Sequence, residues 1–289
     1  MKIRMYGTRG ITPAPGVQSS RYGGNTSCIA LRLEDSNDLM IIDAGTGIIK
    51  LGQELVSKPT PYNIKLFITH IHMDHIQGFP FFLPLYNPEN NITIYYPKYE
   101  QASLEKILNI LANEYVNPVH LGKIKAQIRY EHLQENIITL KTLRIKNIRV
   151  NHPILTLGFR FEHRGKVLCV ITDHEPESNL KKNPNDTEKY ILSDIDYGSF
   201  IEHSDLLIAD AQYLPEEVKL YAGWGHANIN YIVNQCIKSS VGRVVLTHHD
   251  PNRTDLQIDT IVDHYRTLIT KKGLKLEIVA AREIEEYSL

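Results

Sequence analysis

No apolar run in this chain approaches the roughly 20 residues that a membrane span requires. The opening Met1-Lys2-Ile3-Arg4-Met5-Tyr6-Gly7 lacks the apolar core of a signal peptide. Neither sign of charge dominates, since 32 Lys and Arg face 33 Asp and Glu for a formal net charge of −1. That balance excludes a global basic field for gripping polynucleotides and leaves only a local patch for such a partner. Cysteine is scarce: Cys28, Cys169 and Cys236 lie far apart with no CxxC pair. This excludes a disulfide framework and points to buried free thiols in a reducing compartment, so a cytoplasmic protein is expected. Repeats of 20–50 residues and low-complexity tracts are absent too, which excludes solenoids and propellers.

What remains is an ordinary globular composition, 42% hydrophobic and 22% charged over 289 residues, enough to bury a full core. We read residues 1–289 as one domain. Histidine is the abundant residue, with 13 copies. Four potential metal ligands, His70, His72, Asp74 and His75, fall within six residues directly after the apolar run Ile64–Ile68. That run is too short for a free-standing helix and reads as a buried strand. Extending the strand through His72 would point His70 and His72 to one face. A turn after Met73 would then return Asp74 and His75 over the strand end. Four polar groups there are costly without a counter-charge. Imidazole and carboxylate suit zinc and similar divalent ions, and four of them exceed what one open catalytic ion needs. Two ions sharing the cluster are expected.

The rest of the chain repeats the theme of a short apolar strand followed by His or Asp. Strands are expected at 2–6, 28–33, 39–42, 92–96, 128–133, 137–140, 143–150, 159–163, 167–171, 206–209, 242–246 and 274–279. Amphipathic helices are expected at 100–113, 228–238 and 255–270. Strand ends carry Asp43, His152, Asp173, Asp210 and His248. For Asp43 alone, a site group and an acid that stabilises its own turn remain equally open. Residues 175–190 read as a polar surface loop. Runs of strands with helices interspersed favour layered sheets covered by helices.

The segment His70-Ile71-His72-Met73-Asp74-His75 resembles the HxHxDH motif of the metallo-β-lactamase-fold hydrolases, and the outlying motifs follow in that family's order. The resemblance implies an αββα sandwich, with two mixed sheets and helices outside. It implies one ion on His70, His72 and His152, and another on Asp74, His75 and His248, with Asp173 shared. Asp43 matches a mostly structural aspartate of the family. The ions implied are two divalent cations, zinc foremost, with manganese or iron as alternatives.

Within the family, Gly7-Thr8-Arg9-Gly10, Arg21-Tyr22-Gly23-Gly24-Asn25-Thr26-Ser27-Cys28 and Asp43-Ala44-Gly45-Thr46-Gly47 are similar to a phosphodiesterase branch. That branch includes ribonuclease Z and class II cyclic-nucleotide phosphodiesterases. Gly223-Trp224-Gly225-His226, with His226 22 residues before His248, resembles the branch's extra histidine near the scissile phosphate. His226 is then the expected acid for the leaving oxygen and, with Asp74, the expected catalytic pair. The residues after it, Ala227-Asn228, depart from the small hydroxyl residues usual in ribonuclease Z. Asp210 is expected to hydrogen-bond a ligand imidazole. His174 and His249 are expected behind the ligands or exposed, and His120, His132, His163, His203 and His264 at the surface or in packing.

The activity implied is hydrolysis of a small phosphodiester, such as a cyclic nucleotide or cyclic phosphate, by water activated between two cations. The first alternative is a tRNA 3′-processing endoribonuclease, for which 98–140 and 175–205 are the only insertions able to form a substrate arm or lid. A thioester or lactam hydrolase of the same fold would leave His226 without a task. A flavin-linked diiron enzyme would replace a motif histidine with Glu, which His72 contradicts. A metal-binding regulatory module with a decayed site disagrees with the filled ligand positions. A homodimer is the default assembly.

Overall fold

The computed structural model describes residues 1–57, 61–99, 103–111, 113, 115, 123–133, 137–180 and 190–289. The chain divides into two compact units, residues 1–134 with 282–288, and residues 135–281 with Leu289.

The first unit holds strands β1 (Lys2–Gly7), β2 (Cys28–Arg32), β3 (Asp38–Ile42), β4 (Asn63–Phe67), β5 (Asn91–Pro97), β6 (Gln127–Leu133) and β14 (Glu286–Ser288). They form a mixed sheet in the order β14-β1-β2-β3-β4-β5-β6. Pairing is antiparallel from β14 to β3 and parallel from β3 to β6. Parallel neighbours need crossovers, and helix α1 (Gly47–Val56) supplies the one between β3 and β4. It buries Ile48, Leu51 and Leu55 at helical spacing. These pack in one cluster with Ile41, Leu66, Ile94, Phe79 and Phe82, each buried side chain stabilising the fold by about 1.5–3 kcal/mol. Helices α2 (Met73–Ile76) and α3 (Leu104–Leu111) complete the unit's described α-helices.

The second unit holds β7 (Ile137–Leu140), β8 (Leu143–Val150), β9 (Thr156–His163), β10 (Lys166–Ile171), β11 (Leu206–Asp210), β12 (Arg243–Thr247) and β13 (Glu277–Ala280). Their sheet runs β13-β12-β11-β10-β9-β8-β7. An antiparallel meander from β7 to β10 joins a parallel half from β10 to β13. The unit's helices are α4 (Asp194–Ile201), α5 (Val218–Tyr221), α6 (Ile229–Lys238) and α7 (Asp255–Lys271). Three begin at side-chain caps, α4 with Ser193 accepting from the Asp196 amide. Asn228 caps α6 by accepting from the Tyr231 amide, and Thr254 and Gln257 form a reciprocal capping box on α7.

Three expectations need correction. Strand β4 ends at Phe67 and does not run through His72. The Thr69 amide, next but one along the chain, donates instead to the Asp43 carboxylate at 2.8 Å, so a side chain takes the place of the ladder there. His70 and His72 therefore sit in a loop, and the turn that follows is helix α2. Residues 175–190 are not wholly a surface loop, because Glu175 and Pro176 are buried; residues 181–189 lie outside the described residues. Helices α1, α4 and α5 and strand β14 were not anticipated. His120 and parts of 98–140 and 175–205, the expected arm or lid, also fall outside the described residues. Among the described residues, no helix is long and apolar enough to cross a membrane.

Candidate metal centre

In the first unit the motif is organised by a buried carboxylate. Asp43, at the end of β3, holds a left-handed backbone with φ 63° and is fully buried. Its oxygens accept from the Thr69 amide at 2.8 Å, Ser27 Oγ at 3.2 Å and His75 Nδ1 at 2.7 Å. A carboxylate only accepts, so the proton sits on Nδ1 of His75, and Nε2 is the nitrogen left for a ligand role. Thr69 Oγ1 lies 3.0 Å from both Asp43 oxygens and 3.0 Å from His70 Nδ1. Its single proton serves Asp43, so it accepts from His70 and fixes that ring as well.

The consequence is two close pairs of donor atoms. His70 Nε2 and His72 Nδ1 approach to 3.0 Å, and His75 Nε2 and Asp74 Oδ2 to 3.4 Å. Asp74 is also held by the Ile11 amide at 2.8 Å. Gly45 makes the packing behind this turn feasible, because a Cβ there would lie 2.2 Å from the Asp74 carbonyl oxygen. Tyr99 joins the loop through a hydrogen bond with the Ile71 backbone, and burial raises its hydroxyl pKa.

In the second unit the strand ends again carry the chemistry. Asp173 follows β10 with φ 53°, and His248 follows β12 with φ 58°. Non-glycine residues pay about 1–3 kcal/mol for such backbone, a strain found at functional sites. His248 Nε2 lies 3.3 Å from Asp173 Oδ1, and its Nδ1 faces Gln212 Oε1 at 2.8 Å. Donor atoms of Asp173, His226 and His248 all fall within 4.8 Å of one another. His152, half-buried at the end of β8, donates from Nδ1 to the Gly225 carbonyl at 2.9 Å.

Asp210 Oδ2 accepts from His226 Nδ1 at 2.9 Å, so the imidazole it orients is the one expected to supply a proton. Its other oxygen accepts from the Gln212 amide at 2.8 Å. That amide bond fixes the carboxylate, and the carboxylate in turn fixes the ring.

His174 and His249 are both buried. His174 stacks on Tyr197 at 4.6 Å, and burial with His152 nearby pushes its pKa down to about 3, which keeps it neutral. His249 donates to the Ala281 carbonyl at 3.2 Å. His163 is buried against Thr142, while His132, His203 and His264 are exposed.

Sequence reasoning missed Gln212, Thr69 and Glu175. The Glu175 carboxylate is buried and accepts from the Gly223 and Gly225 amides at 2.8 and 3.0 Å. Their one sequence signal is position, two residues after Asp210, just before His70 and two after Asp173.

The residues fit divalent cations on the chemistry of the donor set. Imidazole nitrogens and carboxylate oxygens converge in pairs at 3.0–3.4 Å, with the outer nitrogens of His75 and His248 already bonded to oxygen.

Residues 40–249 match the sequence family described as the Beta-lactamase superfamily domain. The chain is 23% identical over 261 residues to a ribonuclease Z of Bacillus velezensis, covering 78% of this chain and 82% of that protein. Among solved structures, unliganded yeast PDE1 aligns with a TM-score of 0.68 at 16% identity, covering 100% of this chain and 99% of that one. The short form of human tRNase Z aligns with a TM-score of 0.64 at 19% identity, again covering 100% and 99%. These two likenesses are of fold, and they match the expected metallo-β-lactamase αββα class with its two mixed sheets. The chain thus belongs to the β-lactamase superfamily, as a metallo-β-lactamase-fold metallohydrolase similar in sequence to ribonuclease Z.

Proposed function

We propose that the protein is a dinuclear metal-dependent phosphodiesterase acting on a small phosphodiester, such as a cyclic nucleotide or cyclic phosphate. His70, His72, Asp74 and His75 of the first unit and His152, Asp173 and His248 of the second are its metal ligands. The observation that carries this reading is the buried Asp210–His226 pair at 2.9 Å, with Asp173 at 3.6 Å from the same imidazole nitrogen. A diester needs a proton for its leaving oxygen. A lactam or thioester hydrolase leaves such a pair without a task.

When bound, divalent ions supply charge neutralisation of the phosphodiester and acidify a water molecule. The chain's own residues do the rest. Asp210 holds the Nδ1 proton of His226 and stabilises the ring when both nitrogens are protonated. Nε2 then gives its proton to the departing oxygen as the P–O bond breaks, and the ring is reprotonated from solvent. Gln212 and Asp43 hold His248 and His75 in one tautomer and one orientation. Zinc is the leading ion, with manganese or iron as alternatives, since imidazole and carboxylate accept all three. The three buried free thiols support a cytoplasmic setting.

A second reading, tRNA 3′ processing, is favoured by the ribonuclease Z relatives. Its main sequence objection also weakens in light of α6. Asn228 stands where hydroxyl residues follow the extra histidine in ribonuclease Z, and its side chain caps that helix. Asn, Ser and Thr do that job comparably. The near-neutral net charge of −1 supports the small substrate.

The test is hydrolysis of bis-p-nitrophenyl phosphate, 2′,3′- and 3′,5′-cyclic nucleotides and an unprocessed tRNA. Metal-stripped protein is assayed after zinc or manganese is returned. Metal-dependent turnover of the small diesters with intact tRNA is the expected result. Cleavage at the tRNA 3′ end would establish the second reading, and inactivity on every phosphodiester would refute both.

A further inference from the structure

Trp224 is the only tryptophan in the chain, and 54% of it is exposed. An indole left in water two residues from His226 calls for an account, because an isolated exposed ring gains little from folding. The turn that carries it is heavily constrained. Gly223 and Gly225, on either side, hold φ 91° and 89°, backbone that a side chain would strain. Both amides donate to the buried Glu175 carboxylate, and the Gly225 carbonyl accepts from His152 Nδ1. A Cβ on Gly225 would lie 2.1 Å from that same nitrogen, so the turn is pressed against the His152 ring.

Beneath the indole the rings continue in series. Tyr221 meets Trp224 edge-on at 5.4 Å, Tyr213 stacks on Tyr221 at 4.6 Å and 7°, and Tyr213 meets His226 edge-on at 5.8 Å. The turn is therefore fixed to the proposed acid from one side and to a proposed ligand histidine from the other. Chain geometry limits the Trp224 Cα to about 7 Å from that of His226.

We infer that Trp224 is the stacking platform for the nucleobase of the substrate, which makes the substrate a base-bearing nucleotide diester and not a base-free cyclic phosphate. The inference rests on the phosphodiesterase reading and names its substrate class. Indole faces stack on every nucleobase, so Trp224 contributes affinity with little discrimination among bases. Fixing the ring beforehand removes the ordering cost that a mobile side chain would bring to binding.

Because Trp224 is the sole tryptophan, red-edge excitation reports on this ring alone. The full-length, metal-loaded protein is titrated with AMP, with ribose 5-phosphate and with an unprocessed tRNA. AMP is expected to change the emission saturably, and ribose 5-phosphate is not. In parallel, Trp224→Ala raises KM for a cyclic nucleotide on the order of ten-fold or more, Trp224→Phe recovers most of the loss, and Leu220→Ala, at an exposed position of the preceding helix α5, keeps the wild-type values. A response to the RNA and not to AMP assigns the stacked base to an RNA 3′ end. Equal responses to AMP and ribose 5-phosphate, no response to AMP or RNA, or an unchanged KM in Trp224→Ala would overturn the inference. The two readings separate cleanly. Diester turnover without a base-dependent signal removes the stacking role alone, whereas a base-dependent signal without turnover removes the hydrolase reading alone.

Discussion

Replacing Asp210 with Asn tests whether His226 is the proton donor. Asp210 Oδ1 accepts from the Gln212 amide at 2.8 Å, so the amide side chain keeps its oxygen there. Its NH2 group then turns to His226 Nδ1, 2.9 Å away in the native protein. Two donors face each other whenever the ring is doubly protonated. A charge-assisted hydrogen bond worth about 1.5–3 kcal/mol is lost, and the ring settles into the tautomer with Nδ1 bare. That neutral ring is a poor acid, so kcat should fall by roughly 10²- to 10⁴-fold on a diester with an alkoxide leaving group. Nitrophenolate leaves without help, so bis-p-nitrophenyl phosphate should lose no more than about ten-fold. Metal content and melting temperature, measured beside the rates, should stay near wild type because no proposed ligand is touched. Equal losses on both substrates would show that Asp210 and His226 do not protonate the leaving group.

Asp43→Ala strips partners from Thr69, Ser27 and His75 in a fully buried position. A loss of about 3–5 kcal/mol in stability and 10–100-fold in metal affinity is expected, read by denaturant titration and competition with a chelator; unchanged values would contradict the organising role given to Asp43. Gly225→Ala drives a Cβ into the His152 ring and should cost metal binding along with activity, so a variant with full metal content would show that the turn is loose. Burial raises the pKa of Cys28, Cys169 (to about 12) and Cys236. Unfolded thiols ionise near 8.5, so above that pH the native state binds more protons than the unfolded one, and stability falls as pH rises. The slope is about 1.4 kcal/mol per unit for each thiol. Urea midpoints between pH 8 and 9, where unfolded tyrosines are still largely protonated, should therefore decline, and a flat profile would refute the burial of these thiols.

The strands were legible because short apolar runs bounded by turns leave few alternatives, as at Ile64–Phe67 and Val244–Leu246. Helices α6 and α7 were legible from their periodicity and stop signals. Helix α1 was not, since it opens on Gly47 without a capping side chain. Helix α4, Asp-Ile-Asp-Tyr-Gly-Ser-Phe-Ile, has acids and a glycine interrupting any apolar stripe. The motif residues themselves could be read because several ligand types rarely crowd six positions by chance. Their partners could not. Nothing in local sequence says that the carboxylate at position 43 takes the amide at position 69, or that the Gln212 side chain serves His248 while its backbone amide serves Asp210. Those pairings depend on which strand ends lie side by side, a property of sheet order. The partner of Asp210 was hidden for the same reason, because its neighbour in space is set by the bridge between Tyr213 and Asn228.

The choice of partner for each imidazole follows a chemical division. His152 and His248, which must stay neutral to bind a cation, rest their Nδ1 atoms on uncharged oxygens, the Gly225 carbonyl and the Gln212 amide. His226, the proposed proton donor, rests on a carboxylate oxygen that also accepts from the Ala227 amide at 3.4 Å. An anionic acceptor stabilises the doubly protonated ring and a neutral one does so far less. His75 also faces a carboxylate, yet Asp43 spreads its charge over Thr69 and Ser27 as well. Among the second unit's His152, His226 and His248, the proposed acid and the proposed ligands thus differ in what stands behind each ring, which favours His226 over His248 for proton transfer, although both contact Asp173.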